Sequence, residues 1–503
     1  MLFTAAIVIV SLCALMATPS TAADTETRAA RVAPVVPTLK VKVGVPHTEL
    51  ERLRNQGRSA EPGTPERRSQ PQSARRTSPP PRVRGAALSA VKAEGAARKV
   101  AAADPQPTRS AADIRALAAA PIEEQPHANL ARQCLAQGAD RGIGRVYNRF
   151  TYCLRVPMQF DYWSVDARGV PVEHEGTTTA ELEVFAQGDD RERRVRVFSR
   201  LLEDSVEYDW GPVDNLIVAP WVPLSLIAQC PQEDQGVCHA TRGPATMPWE
   251  VWNNTAHWFY WDVYNHESTG VARDKISNNQ WFVEAFTDNG EYHTYEPGRT
   301  EPRMLRCDSA TYFNRGTANF PRACIFTEFT PHLTYELASD YRSVALHIFT
   351  AQHRANDTYP LLVPPGVPRP RDKRIPGRYV AGDPSAPGLH RITEKLHPAE
   401  YLANSQHKDG ACYKKPPFGH LYLDTGLPVP PTTPDQQCDE YPFASTLEGA
   451  AHPYWDFSVL AVPQRDNSIA GGLLTRYYVD DRILAWDPSL DDKSNDRFYV
   501  HIS

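Results

Sequence analysis

No aromatic residue occurs between Phe3 and Tyr147, so more than a quarter of the 503-residue chain lacks the large side chains that build most cores. Residues 24–128 are instead rich in Ala, Arg, Pro and Ser, as in RRSQPQSARRTSPPPRVRG. A segment of this composition cannot bury enough apolar surface to offset the conformational entropy that folding removes. The pattern predicts a disordered N-terminal tail, with order beginning near Leu130.

The first residues have the pattern of a secretory signal peptide. An apolar run from Leu2 to Met16 is followed by small residues that end at Ala22–Ala23. The run is short for a membrane span. No Lys or Arg precedes it, so a signal anchor is the alternative. We predict that residues 1–23 are a signal peptide and that the mature, secreted protein has no stable membrane span.

The cysteines favour an oxidising compartment. Without the signal peptide, eight of the nine cysteines remain. They form four neighbouring pairs along the chain: Cys134/Cys153, Cys230/Cys238, Cys307/Cys324 and Cys412/Cys438. Eight cysteines allow about 105 pairings, so nearest-neighbour disulfides are a hypothesis. Zinc is the alternative, but the sequence has no Cys-x-x-Cys motif and no Cys/His cluster with the spacing of zinc ligands.

Charge is divided unevenly along the chain. Residues 24–128 carry 18 Lys or Arg and 11 Asp or Glu, a net charge of +7. Because the whole chain carries −6, residues 129–503 carry −13. A basic tail on an acidic body is typical of contact with a polyanion such as nucleic acid. A solvated linker of biased composition is the alternative.

From Tyr147 onward the sequence has the pattern of β-strands. TAELEVFAQ and RRVRVFSRLL alternate apolar and polar residues, and SVALHIFTAQ (343–352) is also predicted to be a strand. The pattern predicts a β-rich, β-sandwich-like region over residues 130–355. Eight of the ten tryptophans lie between Trp163 and Trp281. Their rings could stack on sugars, but burial in a core is the favoured interpretation.

A proline-rich stretch, residues 359–388, contains eight prolines and predicts an extended linker. It would separate a C-terminal unit, residues 389–503, that is long enough for its own small core. Within this unit, EKLHPAEYLA (394–403) and IAGGLLTRYY (469–478) are predicted helices. FSVLAV (457–462) is a predicted strand.

The C-terminal unit also contains a group of acids, in the stretch CDEYPFASTLEGA. These acids are Asp439, Glu440 and Glu448, and Asp466 and Asn467 lie near the start of the second predicted helix. Carboxylate and amide oxygens are ligands that Mg²⁺ prefers. Such an ion beside a phosphodiester stabilises developing charge while a neighbouring base activates water. Two adjacent acids alone are a weak signal, because most such pairs are solvated.

The longer pattern is more specific. DEYPFASTLEGA, followed by FSVLAVPQRDNSIAGGLLTRYY and a terminal RFYVHI, resembles the NucA/NucB deoxyribonuclease family of small secreted bacterial DNases, over about residues 400–503. The resemblance implies an α+β, ββα-metal-like nuclease domain at residues 389–503 that binds Mg²⁺ or Mn²⁺ and acts on DNA. It implies catalytic roles for Asp439, Glu440 and Glu448. It also implies metal contacts from Glu440, Asn467 and Asp466.

The chain departs from this family beside the acids. The best-known members of the family carry an Arg before the Asp-Glu pair, where this chain has Gln437–Cys438. A cation directed at phosphate is therefore lost, in a unit (residues 390–503) with 16 acidic and 10 basic residues. The other candidate cations for phosphate are Lys414, Lys415, Arg465, Arg476 and Arg482. His420 and His452 are alternative general bases.

The leading hypothesis is a secreted, divalent-metal-dependent endonuclease that hydrolyses DNA with little sequence specificity. The alternative is a non-catalytic secreted envelope or glycan-binding protein in which the tryptophan-rich region carries the function. The two hypotheses differ in whether the acids and Asn467 surround one metal-sized space.

Overall fold

A computed structural model describes residues 38–59, 124–136, 138–140, 142–234, 236–288, 292–383 and 385–503. The predicted signal peptide lies outside these residues. The strands, in chain order, are β1 (Leu39–Pro46), β2 (Arg145–Asn148), β3 (Thr151–Val165), β4 (Pro171–Gly188), β5 (Arg194–Leu201), β6 (Glu207–Asp209), β7 (Pro223–Gln229), β8 (Cys238–Ala240), β9 (Ala245–Pro248), β10 (Phe259–Asn265), β11 (Ser277–Phe286), β12 (His293–Glu296), β13 (Gly298–Arg299), β14 (Arg303–Asp308), β15 (Asn314–Arg315), β16 (Ala318–Asn319), β17 (Ala323–Phe326), β18 (His332–Tyr335), β19 (Gln436–Tyr441), β20 (Ser458–Pro463) and β21 (Tyr499–Ile502).

The α-helices are α1 (His47–Ser59), α2 (Ala128–Leu135), α3 (Asp214–Ile217), α4 (Trp249–Asn253), α5 (Arg342–His353), α6 (Pro398–Tyr413) and α7 (Gln464–Asp480). Short 3-10 helices span Ala219–Trp221, Gln232–Asp234, Glu267–Thr269, Ala355–Asp357 and Gly419–Tyr422. Within the described ranges, no helix combines the length and the apolar character that a membrane crossing requires.

Two large sheets contain most of the strands and confirm the β-rich middle region. The first has the order β12-β1-β3-β4-β5-β10-β8, with β2 paired to β3 and β6 paired to β4. The second has the order β17-β14-β11-β7-β9, with β13 paired to β11. Apolar side chains of both sheets, such as Val184 and Val283, pack into one core. The sandwich arrangement stays a prediction.

Strand β1 and helix α1 show that the prediction of disorder was wrong for residues 39–59. β1 pairs in parallel with β3 and antiparallel with β12. Four apolar side chains of β1 are buried: Leu39, Val41, Val43 and Val45. Exposed lysines separate the first three of them, and a buried glycine separates the last two. A composition averaged over a hundred residues hid this short alternating pattern. The rest of the predicted tail, residues 24–37 and most of 60–128, lies outside the described residues.

Helix α5 replaces the strand predicted at residues 343–352. Buried side chains recur at helical spacing along it, at Val344, Ala345, Ile348 and Ala351. This spacing places them on one face of a helix. The β-branched and aromatic residues of the segment favoured a strand locally, but burial against the C-terminal elements stabilises the helix instead.

The C-terminal core contains residues from both sides of the proline-rich stretch. Val344 and Ile348 of α5 pack with Leu474 and Val500. Strand β18 pairs in parallel with β21. Residues 332–353 therefore contribute to the same core as the end of the chain.

Strands β19 and β20 pair antiparallel, and α7 begins directly after β20. The helix predicted at 469–478 is present in longer form as α7, whereas the one predicted at 394–403 begins four residues later and ends ten residues later, as α6. A proline in the first turn of α6 suits a helix start, because its missing N–H has no partner there in any case. The small C-terminal helix-and-strand region is thus confirmed, while its ββα-metal character is not settled by the backbone.

The four neighbouring cysteine pairs are disulfides, as predicted: Cys134–Cys153, Cys230–Cys238, Cys307–Cys324 and Cys412–Cys438. The last of them ties α6 to β19. It therefore joins two of the elements that carry the acidic motif and its surroundings.

The proline-rich stretch is packed against the C-terminal strands. The described residues between 359 and 388 contain neither helix nor strand. The N–H of Val459 donates to the carbonyl of Tyr359 at 2.6 Å, and the N–H of Tyr379 donates to the carbonyl of Val500 at 3.1 Å. The domain boundaries drawn from the sequence stay predictions.

Most of the clustered tryptophans are core residues. Six of the eight are buried: Trp210, Trp249, Trp252, Trp258, Trp261 and Trp281. Side chains in these positions cannot stack on a sugar at the surface. Their burial argues against the tryptophan cluster as a broad glycan platform.

Buried charges connect the β-rich region with the end of the chain. Arg482 lies 2.6 Å from Asp308 at the end of β14, and both side chains are almost fully buried. Asp496 contacts Arg149 at 2.8 Å and Arg306 at 2.5 Å. Although burial opposes ionisation, the two guanidiniums hold the pKa of Asp496 well below its usual range.

His332 of β18 makes stability sensitive to mild acid. Burial lowers its pKa to about 4, against about 6.5 in an unfolded chain. The folded protein favours the neutral form of His332. The contribution of this group to stability is therefore fully present above pH 6.5 and is lost as the pH falls toward 4. We expect the free energy of unfolding, measured with urea, to fall by about 2.5 kcal/mol between pH 7 and 4.5 because of this histidine. The variant His332→Phe should not show this fall. The exposed control His420→Phe should follow the wild type; equal losses in all three proteins would contradict the prediction.

Candidate active site

A cavity of about 720 Å³ lies between β19, α6 and α7. Among the described strands β19 has only β20 as partner, so its other edge has no strand beside it. Four consecutive residues, 437–440, line the cavity. Side chains on a strand alternate between its faces. The cavity therefore receives groups from both faces of β19, and adjacent acids can both reach it.

Asp439 is buried and is held by a histidine from α5. Nδ1 of His347 lies 2.6 Å from Oδ2 of Asp439, and Nε2 of the same ring lies 2.7 Å from Oγ of Ser458. A neutral imidazole that donates from Nδ1 accepts at Nε2, which suits the Ser458 hydroxyl as donor. Because Ser458 is fully buried, it is a structural partner rather than a nucleophile. The pair fixes the orientation of the Asp439 carboxylate.

Glu440 is partly buried beside a second charge pair. Desolvation raises its pKa to about 7; Lys408 opposes this shift and repulsion from Asp439 adds to it. The N–H of Ala444 donates to its Oε1 at 3.3 Å. Lys408 lies 3.2 Å from Asp409. Although desolvation opposes it, the carboxylates of Glu440 and Asp409 raise the pKa of Lys408.

Asn467 brings an amide into the same cavity from the first turn of α7. Its Nδ2 donates to Oε1 of Gln437 at 3.0 Å. This bond uses the NH₂ end of the Asn467 side chain and leaves its Oδ1 as the oxygen for a ligand. Of the five site residues predicted from the sequence, Asp439, Glu440 and Asn467 therefore converge.

The other two predicted site residues do not line the cavity. Oδ2 of Asp466 accepts a hydrogen bond from Oγ of Ser343 at 2.6 Å, which ties α7 to the start of α5. Glu448 is buried and accepts from the backbone N–H of His390 at 2.8 Å. Its other oxygen lies 2.7 Å from Nδ1 of His390. Both acids stabilise the surroundings of the site in this structure.

The alternative bases suggested by the sequence also lie elsewhere. Nδ1 of His420 contacts the carbonyl of Pro417, and Nδ1 of His452 accepts from the N–H of Tyr454. Neither histidine lines the cavity. Among the predicted phosphate cations, Lys415 lines it, whereas Arg482 is buried against Asp308.

Three residues of the site were not identified from the sequence: His347, Lys408 and Arg391. His347 was missed because its segment was assigned to a strand. Helical spacing from Val344 to Ile348 places His347 on the buried face of α5. A histidine among apolar positions of a helix was the available signal.

The donor set of the cavity fits a hard cation. No three His, Cys, Asp or Glu side chains in the described residues are grouped closely enough to hold a metal. Mg²⁺ needs fewer than three such side chains, because it is usually bound by one or two carboxylates and keeps several of its water ligands. Glu440, Asp439 and the Asn467 amide offer oxygens of this kind. A cation between the two acids would also relieve the repulsion that contributes to the raised pKa of Glu440.

A family model, Deoxyribonuclease NucA/NucB, matches residues 398–486. The matched segment contains α6, β19, β20 and α7, and with them Asp439, Glu440 and Asn467. No curated protein and no solved structure matches the chain. His347 and Arg391 lie outside the matched segment. The match confirms the resemblance carried by the acidic motif: residues 398–486 are similar to the NucA/NucB deoxyribonuclease family.

Proposed function

We propose that the protein is a divalent-metal-dependent endonuclease that hydrolyses the phosphodiester bonds of DNA with little sequence specificity. One observation carries the proposal. Asp439, Glu440 and Asn467 line a single cavity within the segment that matches a deoxyribonuclease family. A nuclease or hydrolase activity follows from the family; metal dependence and specificity are our inference from the site.

Asp439 is the proposed general base. The hydrogen bond from His347 fixes one carboxylate oxygen, so the other can be directed at a water molecule. Asp439 takes a proton from this water as the water oxygen attacks phosphorus. The phosphorus–oxygen bond to the leaving nucleotide then breaks, and the leaving oxygen takes a proton from solvent.

Glu440 and Oδ1 of Asn467 are the proposed ligands of Mg²⁺ or Mn²⁺. Such an ion supplies charge stabilisation at the phosphoryl and leaving oxygens. Lys408 helps to keep Glu440 ionised, since its charge lowers the pKa that desolvation raises. Asp466 and Glu448 support the site indirectly, by fixing α7 to α5 and by anchoring the loop beside His390.

Low sequence specificity follows from the chemistry of the cavity. The groups proposed for this site (carboxylates, a metal and basic side chains) interact with the phosphate backbone. Contacts to phosphates carry no direct sequence information. The four disulfides suit an oxidising compartment. We therefore propose that the protein acts outside a bacterial cell.

Nicking of supercoiled plasmid tests the proposal. We expect the purified protein to nick DNA with Mg²⁺ or Mn²⁺ and to stop when EDTA is added. Glu440→Gln removes a charged metal ligand, so the Mg²⁺ concentration for half-maximal rate should rise about 10- to 100-fold. The control is Glu203→Gln, which changes an exposed acid in the β-rich region. Nicking that survives EDTA, or a Glu440→Gln variant with the metal requirement of the wild type, would refute the proposed site.

A further inference from the structure

The active-site cavity needs cations that the family motif does not supply. Residues 390–503 carry more acidic than basic side chains, and Lys408 is engaged by Asp409 and Glu440. Two further cations line the cavity, Arg391 and Lys415. Among the residues that the structure describes, neither of them forms an ion pair with a carboxylate.

Arg391 is held rigidly without being neutralised. Its Nη1 donates to the carbonyl of Ile483 at 2.9 Å, and its guanidinium lies 4.8 Å from the centre of the Tyr478 ring. Rings of Tyr312 and Phe313 flank it at 5.3 and 5.0 Å. Stacking and one backbone bond fix the plane of the guanidinium. Its Nε and Nη2 hydrogens remain for a ligand, and an arginine presented in this way suits the oxygens of a phosphate.

Lys415 lies toward the other end of α6. The helix ends at Tyr413, and Nζ of Lys415 lies 4.4 Å from the centre of the Tyr413 ring. Near the start of the helix, Tyr401 lines the cavity. In the same half of the helix, Nδ2 of Asn404 donates to the carbonyl of Thr446 at 2.9 Å, and Thr446 forms a β-bridge with Arg391. From Tyr401 to Tyr413 the helix extends about 18 Å, at a rise of about 1.5 Å per residue. The cavity therefore extends along α6 from Tyr401 to Tyr413, and the two cations line it together with the acids.

The α7 wall of this cavity includes a glycine, which has no side chain. Gly471 lines the cavity, and a Cβ added to Gly471 or Gly472 would have open space around it. Glycine inside a helix costs stability relative to alanine, and neither position is explained by packing. Absence of side chains here allows a bulky ligand to approach the helix.

We propose that Arg391 and Lys415 bind phosphates of the DNA strand on the two sides of the scissile phosphodiester, so that the strand runs lengthwise along α6. This contact rests on the proposed nuclease function and would determine how the chain binds its DNA substrate. Arg391 precedes the family-matched segment and takes the place of the arginine missing before Asp439.

Steady-state kinetics on duplex DNA with Arg391→Met and Lys415→Met tests the inference. Each variant should raise KM about tenfold, the worth of one charge-assisted contact, and leave kcat within about twofold. Each should also reduce by about one the slope of log affinity against log salt. Arg369→Met is the control, because Arg369 is exposed and lies outside the cavity. Bis(p-nitrophenyl) phosphate has a single phosphate and therefore lacks the flanking phosphates that the two cations are proposed to bind, so all four proteins should hydrolyse it at the same rate.

The outcomes separate the two proposals. If the wild type cleaves neither DNA nor the small phosphodiester with Mg²⁺, the proposed function fails. If the wild type cleaves DNA but both variants keep the KM and salt slope of Arg369→Met, the function stands and the phosphate contacts are refuted. A fall of kcat and of small-substrate hydrolysis in Arg391→Met, with KM unchanged, would assign Arg391 a purely structural role. Arg391→Lys retains the charge and should recover part of the lost affinity.

Discussion

Exchange of Asp439 for asparagine is expected to reduce kcat for DNA cleavage by about 10²- to 10⁴-fold, the range of general-base catalysis. The amide has nearly the shape of the carboxylate and can still accept the hydrogen bond that His347 makes at 2.6 Å. It cannot take a proton from water. The loss should therefore appear in kcat, with KM for DNA nearly unchanged. Initial rates over a range of DNA concentrations at saturating Mg²⁺ measure both quantities.

The matched control for this variant is Asp435→Asn. Asp435 precedes β19, is exposed and lies outside the cavity. The same chemical change there should leave kcat within about twofold, since exposed substitutions away from a site have small effects. If Asp439→Asn retained wild-type kcat at saturating Mg²⁺, Asp439 would not be the base. A normal thermal midpoint for the Asp439→Asn variant would show that any loss is chemical.

The part of the site that could be predicted from the sequence is the part that is local in the chain. Asp439 and Glu440 lie on β19, and Asn467 lies in the first turn of the helix that follows the partner strand β20. A strand pair and a directly attached helix bring such positions together whatever surrounds them. Asp466 and Glu448 are also close to these residues in the sequence, but they do not line the cavity. Each is instead bonded to a residue from another segment, Asp466 to Ser343 and Glu448 to His390.

Contributions from distant segments could not be predicted in the same way. His347 lies 92 positions before Asp439, on a helix whose sequence favours a strand by local propensity. Arg391 enters the cavity because Ile483 and the rings of Tyr312 and Tyr478 surround it. These contacts exist only once the whole C-terminal core has formed. Similarly, β1 is a strand because it pairs with β3 on one side and β12 on the other. The average composition of the N-terminal segment gives no information about these two partners.

Exchange of Arg482 for methionine is expected to lower the free energy of unfolding by about 3–5 kcal/mol, the cost of leaving a buried charge without its partner. Arg482 and Asp308 are 1% and 0% exposed and lie 2.6 Å apart. Arg306 lies 3.4 Å from Asp308 and also pairs with Asp496, so it compensates only in part. Urea unfolding followed by tryptophan fluorescence measures the loss.

Arg465→Met provides the control for the same substitution at the surface. Arg465 pairs with Asp340 at 3.0 Å, but both side chains are about three-quarters exposed. Exposed pairs contribute at most about 1 kcal/mol. A loss for Arg482→Met as small as that of Arg465→Met would mean that water reaches the buried pair.

A double variant tests whether charge burial is the cause. Arg482→Met with Asp308→Leu removes both charges and leaves Arg306 with its partner Asp496, so it should be more stable than Arg482→Met alone. The pair joins β14 to the segment after α7. A destabilised pair should therefore weaken the end of the chain that carries β21 and, through the shared core, α5 and its His347. The rate of DNA cleavage by Arg482→Met should consequently begin to fall at a lower temperature than that of the wild type. Well below their unfolding midpoints, both proteins should have the same kcat. Equal temperature profiles in the presence of a measured loss of stability would show that the nuclease site folds independently of the β-rich region.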